Sequence, residues 1–165
     1  MNEKIQPYLK SAGKIPKAKK KKKVNYKEKL WDIFKDYIRL RDADDRGYCN
    51  CISCGKVYFW KDIQSGHYVP KNNGLFFYFN EEDVHAQCYG CNVGKSGNLI
   101  YYRKHLIEKL GLDEVEKLEY QGEMGEVRDK LNASCKYSDE DYFNLIRVYK
   151  DKVSELKKVK SWVRQ

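Results

Sequence analysis

Cys51-Ile52-Ser53-Cys54 and Cys88-Tyr89-Gly90-Cys91 decide the fold of this chain. Each pair has the spacing of a zinc knuckle, and four thiolates in two short loops close a tetrahedral site with Zn–S about 2.3 Å. A rival reading starts a two-Cys, two-His finger from Cys51, Cys54 and His67. That motif needs a second histidine at residues 71–73, which are Lys, Asn and Asn. The second cysteine pair therefore supplies the missing ligands. Four protein sulfurs leave no open position, so this Zn2+ is structural and any catalysis needs a second centre. Cys49 competes with Cys51 as a ligand. Cys51 has the better spacing, and Gly55 after its pair frees the turn for N–H···S contacts. Cys135 fits no pair and reads as a small buried residue.

The clasp closes residues 55–87 into a loop with fixed ends, and Gly66-His67-Tyr68 lies inside it. Gly66 opens space beside His67, whose neutral imidazole is suited to take a proton from water attacking a phosphodiester. Such a ring needs an acceptor for one N–H, and Asp83 is the carboxylate expected to supply it. A divalent ion, Mg2+ or Mn2+, would stabilise the phosphate charge and the leaving oxygen. Asn92, placed by Cys91, is expected to ligate that ion, and Lys95 to bind a neighbouring phosphate. His67 and Asn92 are thus expected to meet on a shared cation. His85 shares a strand face with Asp83; metal ligand, phosphate contact and structural group all stay open for it. His105 receives no role.

Charge is placed unevenly. Residues 1–29 hold 11 Lys against Glu3 and Glu28, and the remainder balances, so the formal net charge of +9 sits at the N-terminal end. The run Lys19-Lys20-Lys21-Lys22-Lys23 repels itself and buries nothing, which predicts a disordered basic arm over 1–24. Such an arm adds salt-sensitive, sequence-blind affinity for a phosphate backbone. Arg39 and Arg41 are further candidates for phosphate contact. A chain of 165 residues suits one domain and can bury roughly 68–70% of its unfolded surface. No apolar run is long enough to span a membrane and no signal-peptide core opens the chain, so no membrane partner is expected. Paired cysteines in a Lys-rich chain favour metal in a reducing cytoplasm over disulfides.

Elements follow from periodicity. Asn25 and Glu28 resemble a capping box. Tyr26, Leu30, Ile33, Phe34, Tyr37 and Ile38 repeat at helical spacing over 26–43. Val57–Trp60 reads as a strand, and the apolar run Leu75–Phe79 as a strand paired with Val84–Gln87. A helix beyond Asn98 stops at Gly111, and 113–120 makes a short helix. Ser138 and Asp141 cap a long final helix with Tyr142, Ile146, Tyr149, Val153, Leu156 and Val163 on one face.

Several of these motifs together resemble the lambdoid phage NinG (Rap) family. They are the first cysteine pair, Gly66-His67, Val84-His85-Ala86-Gln87-Cys88, Cys91-Asn92 and Lys95-Ser96-Gly97-Asn98, with Leu30-Trp31 and Arg39-Leu40-Arg41-Asp42-Ala43-Asp44 upstream. The resemblance covers about residues 25–121. It implies an α+β fold: a zinc-stapled ββα-metal (HNH-like) core flanked by helices behind the basic arm, with 122–165 as a C-terminal helical extension. It also implies a recombination endonuclease that cuts branched DNA, such as Holliday-type junctions and displaced strands, in the bacterial host cytoplasm. By position, His67 takes the general-base role. Asp83 stands where HNH proteins carry their middle Asn, and Asn92 where they carry the last His or Asn. Gly66 stands where many carry a metal-binding Asp, which leaves His85 or Asp62 as a replacement ligand.

A non-catalytic zinc-containing, DNA-binding recombination accessory protein is the alternative, and an RNase of HNH type is a third reading. Branch selectivity needs two active sites or a shaped groove, which makes a homodimer plausible.

Overall fold

The computed structural model describes residues 24–73, 75–131 and 137–160, with the side chains of 73, 75, 76 and 125–131 set aside. Residues 1–23 of the expected arm, with Lys19–Lys23, as well as Cys135 and Val163, lie outside the described residues.

The first helix, α1 (Tyr26–Asp42), starts where Asn25 leaves the helical region and its side chain accepts the Glu28 N–H at 3.2 Å. Leu30, Phe34, Tyr37 and Ile38 make a buried stripe at helical spacing. The final helix, α6 (Asp139–Val159), covers that stripe with Ile146 and Tyr149, joined by Val153 and Leu156. It opens with the expected capping box, Ser138 and Asp141 bonding reciprocally. Phe34 meets Tyr149 edge-on at 5.0 Å between ring centres.

Two hairpins lie between the helices. β1 (Tyr48–Asn50) pairs antiparallel with β2 (Val57–Phe59), and the turn between them carries the first cysteine pair. Gly55 has φ +70, a left-handed conformation that lets its N–H reach the Cys51 carbonyl at 2.8 Å. β3 (Gln64–His67) pairs with β4 (Val84–Gln87) in the register Gln64↔Gln87, Ser65↔Ala86, Gly66↔His85 and His67↔Val84. All four residues of β4 are buried, because α1 lies on one side of it and α4 (Leu99–Leu110) on the other. The hydroxyl of fully buried Tyr102 lies 3.0 Å from the Gly66 carbonyl and 3.1 Å from that of Asp83, fastening β3 to the segment that leads into β4.

Two expectations are corrected. Leu75–Phe79 is not the strand partner of β4. Leu75–Tyr78 forms a single helical turn, α2, after a 3-10 turn at Lys71–Asn73. The reason is packing: Phe77 joins the cluster of Tyr102, Leu106 and Val115, whereas Phe79 joins that of Leu30 and Phe34. A strand would put Phe77 and Phe79 on one face, whereas a helical turn that ends at Tyr78 lets Phe79 leave toward the other core. The helix expected at 113–120 is also longer. α5 runs Leu112–Leu131, and Val69 packs so close to Gly122 that a Cβ there would lie 2.7 Å from Cγ1. A short helical turn, α3 (Tyr89–Asn92), carries the second cysteine pair's C-terminal half. No described helix is long and apolar enough to cross a membrane.

Candidate metal centre and the residues around it

The sulfurs of Cys51, Cys54, Cys88 and Cys91 all lie within 4.8 Å of one another. Cys54 and Cys88 are 3.8 Å apart, the sulfur–sulfur edge of about 3.8 Å that a tetrahedron with Zn–S near 2.3 Å requires. The donor set and spacing fit structural zinc. The Cys88 N–H donates to Cys51 Sγ at 3.3 Å and the Asn98 amide to Cys91 Sγ at 3.4 Å, contacts that spread thiolate charge and fix sulfur position. Burial raises the Cys88 thiol, but the Cys91 N–H and the neighbouring thiols outweigh it and bring it down to about 7. Cys49 stands apart: its thiol donates to the Arg39 carbonyl at 3.2 Å, and burial pushes it up to about 12.

The stretch Lys95-Ser96-Gly97-Asn98 seals this centre. Ser96, Gly97 and Asn98 are all left-handed, with φ of 47, 90 and 47. This curl brings the Gly97 N–H to the Cys91 and Asn92 carbonyls, each at 3.0 Å. The Gly97 carbonyl in turn accepts from the Gln87 amide at 2.6 Å and from Ser53 Oγ at 3.3 Å. Gln87 thereby ties both knuckles to β4. Lys95 itself is exposed.

His67 ends β3. Its ring stacks on Trp31 of α1, with centres 5.3 Å apart, and Nε2 lies 3.4 Å from the Tyr78 carbonyl. Burial pulls its pKa down to about 4, and the charge of Lys71 adds to that, against the opposing pull of the backbone carbonyls. The ring is neutral at physiological pH. Asp83 is not the acceptor facing it. Its Oδ1 accepts the Val69 N–H at 2.7 Å and, among the described residues, Oδ2 has no partner. Burial raises Asp83 to about 8, against the Val69 and Tyr68 N–H groups. It braces the loop behind His67, and the Tyr78 carbonyl takes the place expected for it.

Asn92 donates to Gln64 Oε1 at 2.8 Å. Gln64 escaped the sequence reading, which assigned no strand at 64–67; alternation along β3 is the signal that exposes it. That alternation puts Gln64 and Gly66 on one face and Ser65 and His67 on the other. Ser65 Oγ donates to the Lys35 carbonyl of α1, which marks His67's face. The expected meeting of His67 and Asn92 on one cation is therefore not formed by these side chains.

His85 is enclosed rather than open. Its Nδ1 lies 2.8 Å from Arg41, 3.0 Å from Lys109 and 3.5 Å from Asp42, and Nε2 lies 3.1 Å from the Glu82 carbonyl. A divalent ion there would face two cations, so His85 is a poor replacement ligand. Burial opposes the charge on Asp42, but His85 and Arg41 hold its pKa well below the usual carboxylate range. Arg41 also donates to the Glu81 and Val84 carbonyls at 2.6 and 2.9 Å. Arg39 bonds Asp36 and the Ile63 carbonyl. Both arginines, expected at phosphate, are committed inside the fold. Asp62 is an exposed turn residue. Among the described residues, the four cysteines are the one group of His, Cys, Asp or Glu arranged to hold a metal.

Residues 2–160 match the family model described as Bacteriophage Lambda NinG protein. The chain belongs to the NinG family. Protein ninG of Escherichia phage lambda is 40% identical over 83 residues, 50% of this chain and 38% of that protein. Protein ninG of Salmonella phage P22 is 34% identical over 118 residues, 60% of this chain and 56% of that protein. The counterpart in Escherichia phage 933W is 39% identical over 83 residues, 50% of this chain and 39% of that protein. The chain thus spans about half or less of the length of these NinG relatives. No solved structure matches it.

Proposed function

We propose that this NinG-family chain is a metal-dependent endonuclease for branched DNA in phage recombination, acting in the host cytoplasm. The β3–β4 hairpin followed by α3, stapled by four cysteines, supports an HNH-like ββα-metal core. The observation that carries the reading is His67: a neutral imidazole whose Nε2 faces the Tyr78 carbonyl. Donation of Nε2–H to that carbonyl leaves the Nδ1 lone pair to accept a proton from water attacking a phosphodiester. Trp31 fixes the ring plane, and Lys71 adds positive charge beside it.

A bound Mg2+ or Mn2+ would supply charge stabilisation at the phosphate and leaving oxygen. Asn92 and Gln64 are bonded to each other on the strand face opposite His67 and bring no carboxylate, so the described residues do not fit that ion beside His67 and no step is derived through it.

A second reading is favoured by the split of His67 and Asn92 between strand faces and by the side-chain-free Gly66. In it the chain is a zinc-containing accessory protein that binds junctions without cutting them. Cleavage of labelled four-way junction, duplex and single-stranded DNA, with and without Mg2+ or Mn2+, separates the two. Metal-stimulated junction cutting that His67→Ala abolishes, with binding kept, supports the nuclease. Binding without cleavage selects the accessory protein, and preferential cutting of structured RNA selects an RNase. Paired cuts across a branch need two sites, so a homodimer belongs to the proposal, and sedimentation on a junction measures it.

A further inference from the structure

Two lysines outside every motif discussed so far converge beside His67. Lys27, on the first turn of α1, sets its ammonium 4.0 Å from the Tyr78 ring centre. Lys71, from the 3-10 turn after β3, lies 5.4 Å from the same ring and 6.0 Å from that of Trp31. Among the described residues, Trp31 and Tyr78 are the aromatic rings that contact the His67 imidazole. Among the described residues neither ammonium has an acidic partner. Asp139 lines a cleft shared with Lys27 but makes no ion pair with it.

Two unpaired cations on one aromatic platform repel each other. Burial and the charge of Lys71 both pull the Lys27 pKa down. An anion between or beside them removes that cost, and the rings hold the ammoniums in place by cation–π attraction. Arg39 and Arg41 are committed to internal partners, so they do not compete for this role. In sequence, the run Lys19–Lys23 leads directly into Val24 and α1, at the end that carries Lys27.

We infer that Lys27 and Lys71 bind backbone phosphates of DNA over the Tyr78–Trp31 platform and hold the strand beside His67. This rests on the reading of the chain as a DNA-handling protein, and its test is binding rather than cleavage.

The experiment measures binding of a labelled four-way junction by zinc-loaded full chain, without added Mg2+ or Mn2+, across a salt series. Variants are Lys27→Gln, Lys71→Gln, the double variant, Lys27→Arg, and Lys157→Gln on α6 as a charge-matched control. Each Gln variant at the platform is expected to lower the slope of log affinity against log salt by about one, and the double variant by about two. Lys27→Arg is expected to keep the wild-type slope, which separates lost charge from lost packing. Equal slopes for the platform variants and Lys157→Gln would overturn the assignment, as would a change confined to an RNA duplex of matching sequence. Loss of the effect sinks the clamp while leaving His67→Ala cleavage to judge the nuclease, and the converse also holds.

Discussion

Gly66 sits so close to Gln87 across the β3–β4 pair that a Cβ on residue 66 would lie 2.0 Å from Gln87 Oε1. Gln87 is the side chain whose amide reaches Ser53 of the first knuckle and the Gly97 carbonyl of the curl that follows the second. The vacancy that first reads as a missing metal ligand is thus room for a structural amide.

Any side chain at 66 must push Gln87 out of the knuckle seal. Gly66→Ala is expected to cost about 1–3 kcal/mol, the usual range for overpacking a tight interior. The shift of the urea midpoint measures it. Gly66→Asp should lower stability at least as much rather than improve binding of a divalent ion. An unchanged midpoint for Gly66→Ala would mean that Gln87 has another place to go.

Zinc bound by these four cysteines would contribute folding free energy, because the unfolded chain has no preformed site. The purified chain should carry one zinc, released when thiol-specific reagents block the cysteines. Cys54 is the exposed member of the set, so Cys54→Ser disturbs packing least while removing one ligand. Its zinc content should fall and its melting temperature drop. A Cys49→Ser variant should keep its metal, since that thiol is bonded to the Arg39 carbonyl. Full zinc retention by Cys54→Ser would remove Cys54 from the ligand set.

Asp83 makes a pH prediction with a definite sign. Its folded pKa is about 8, against an ordinary carboxyl value of 3.8. Between those values the folded state holds a proton that the unfolded state has lost, so this group's contribution to stability falls as pH rises. His67, lowered from 6.5 to about 4, contributes the opposite slope below 6.5. Cys88, brought down to about 7, has the opposite sign over part of this range, so the Asp83 effect is read between about pH 6.5 and 8 as the difference between wild type and Asp83→Asn. Asp83→Asn keeps an oxygen for the Val69 N–H and removes the titration. In urea melts across that window the variant should gain stability relative to wild type as pH rises and exceed it at pH 8. Parallel profiles would show that Asp83 is ionised in the native state.

Much of the fold was legible because its signals are local. Asn25 at a cap, the α1 stripe from Leu30 to Ile38, Gly111 as a stop, and the Ser138–Asp141 box depend on neighbours in sequence. The clustering of the four cysteines was equally legible, since knuckle spacing is itself the geometry. The strand pairing was not. Leu75–Phe79 carries the apolar run of a strand, and only the placement of Phe77 and Phe79 in separate cores makes it a helical turn. The same non-local pairing hid Gln64 and turned His67 away from Asn92. Arg39 and Arg41 misled because exposure cannot be read from a helix periodicity alone; their partners, Ile63, Glu81 and Val84, come from distant strands and turns.

Glu81 accepts hydrogen bonds from Tyr37 on α1 at 2.6 Å and from Tyr149 on α6 at 3.0 Å, and it pairs with Lys152. One carboxylate thus knots the last helix to the first, just ahead of the strand that leads into the second knuckle. A fragment cut at residue 121, well inside the span 2–160 that matches the family model, would bare Leu30 and Phe34 to water. It would also strand that carboxylate without two of its donors. The minimal unit worth expressing or crystallising runs through residue 160.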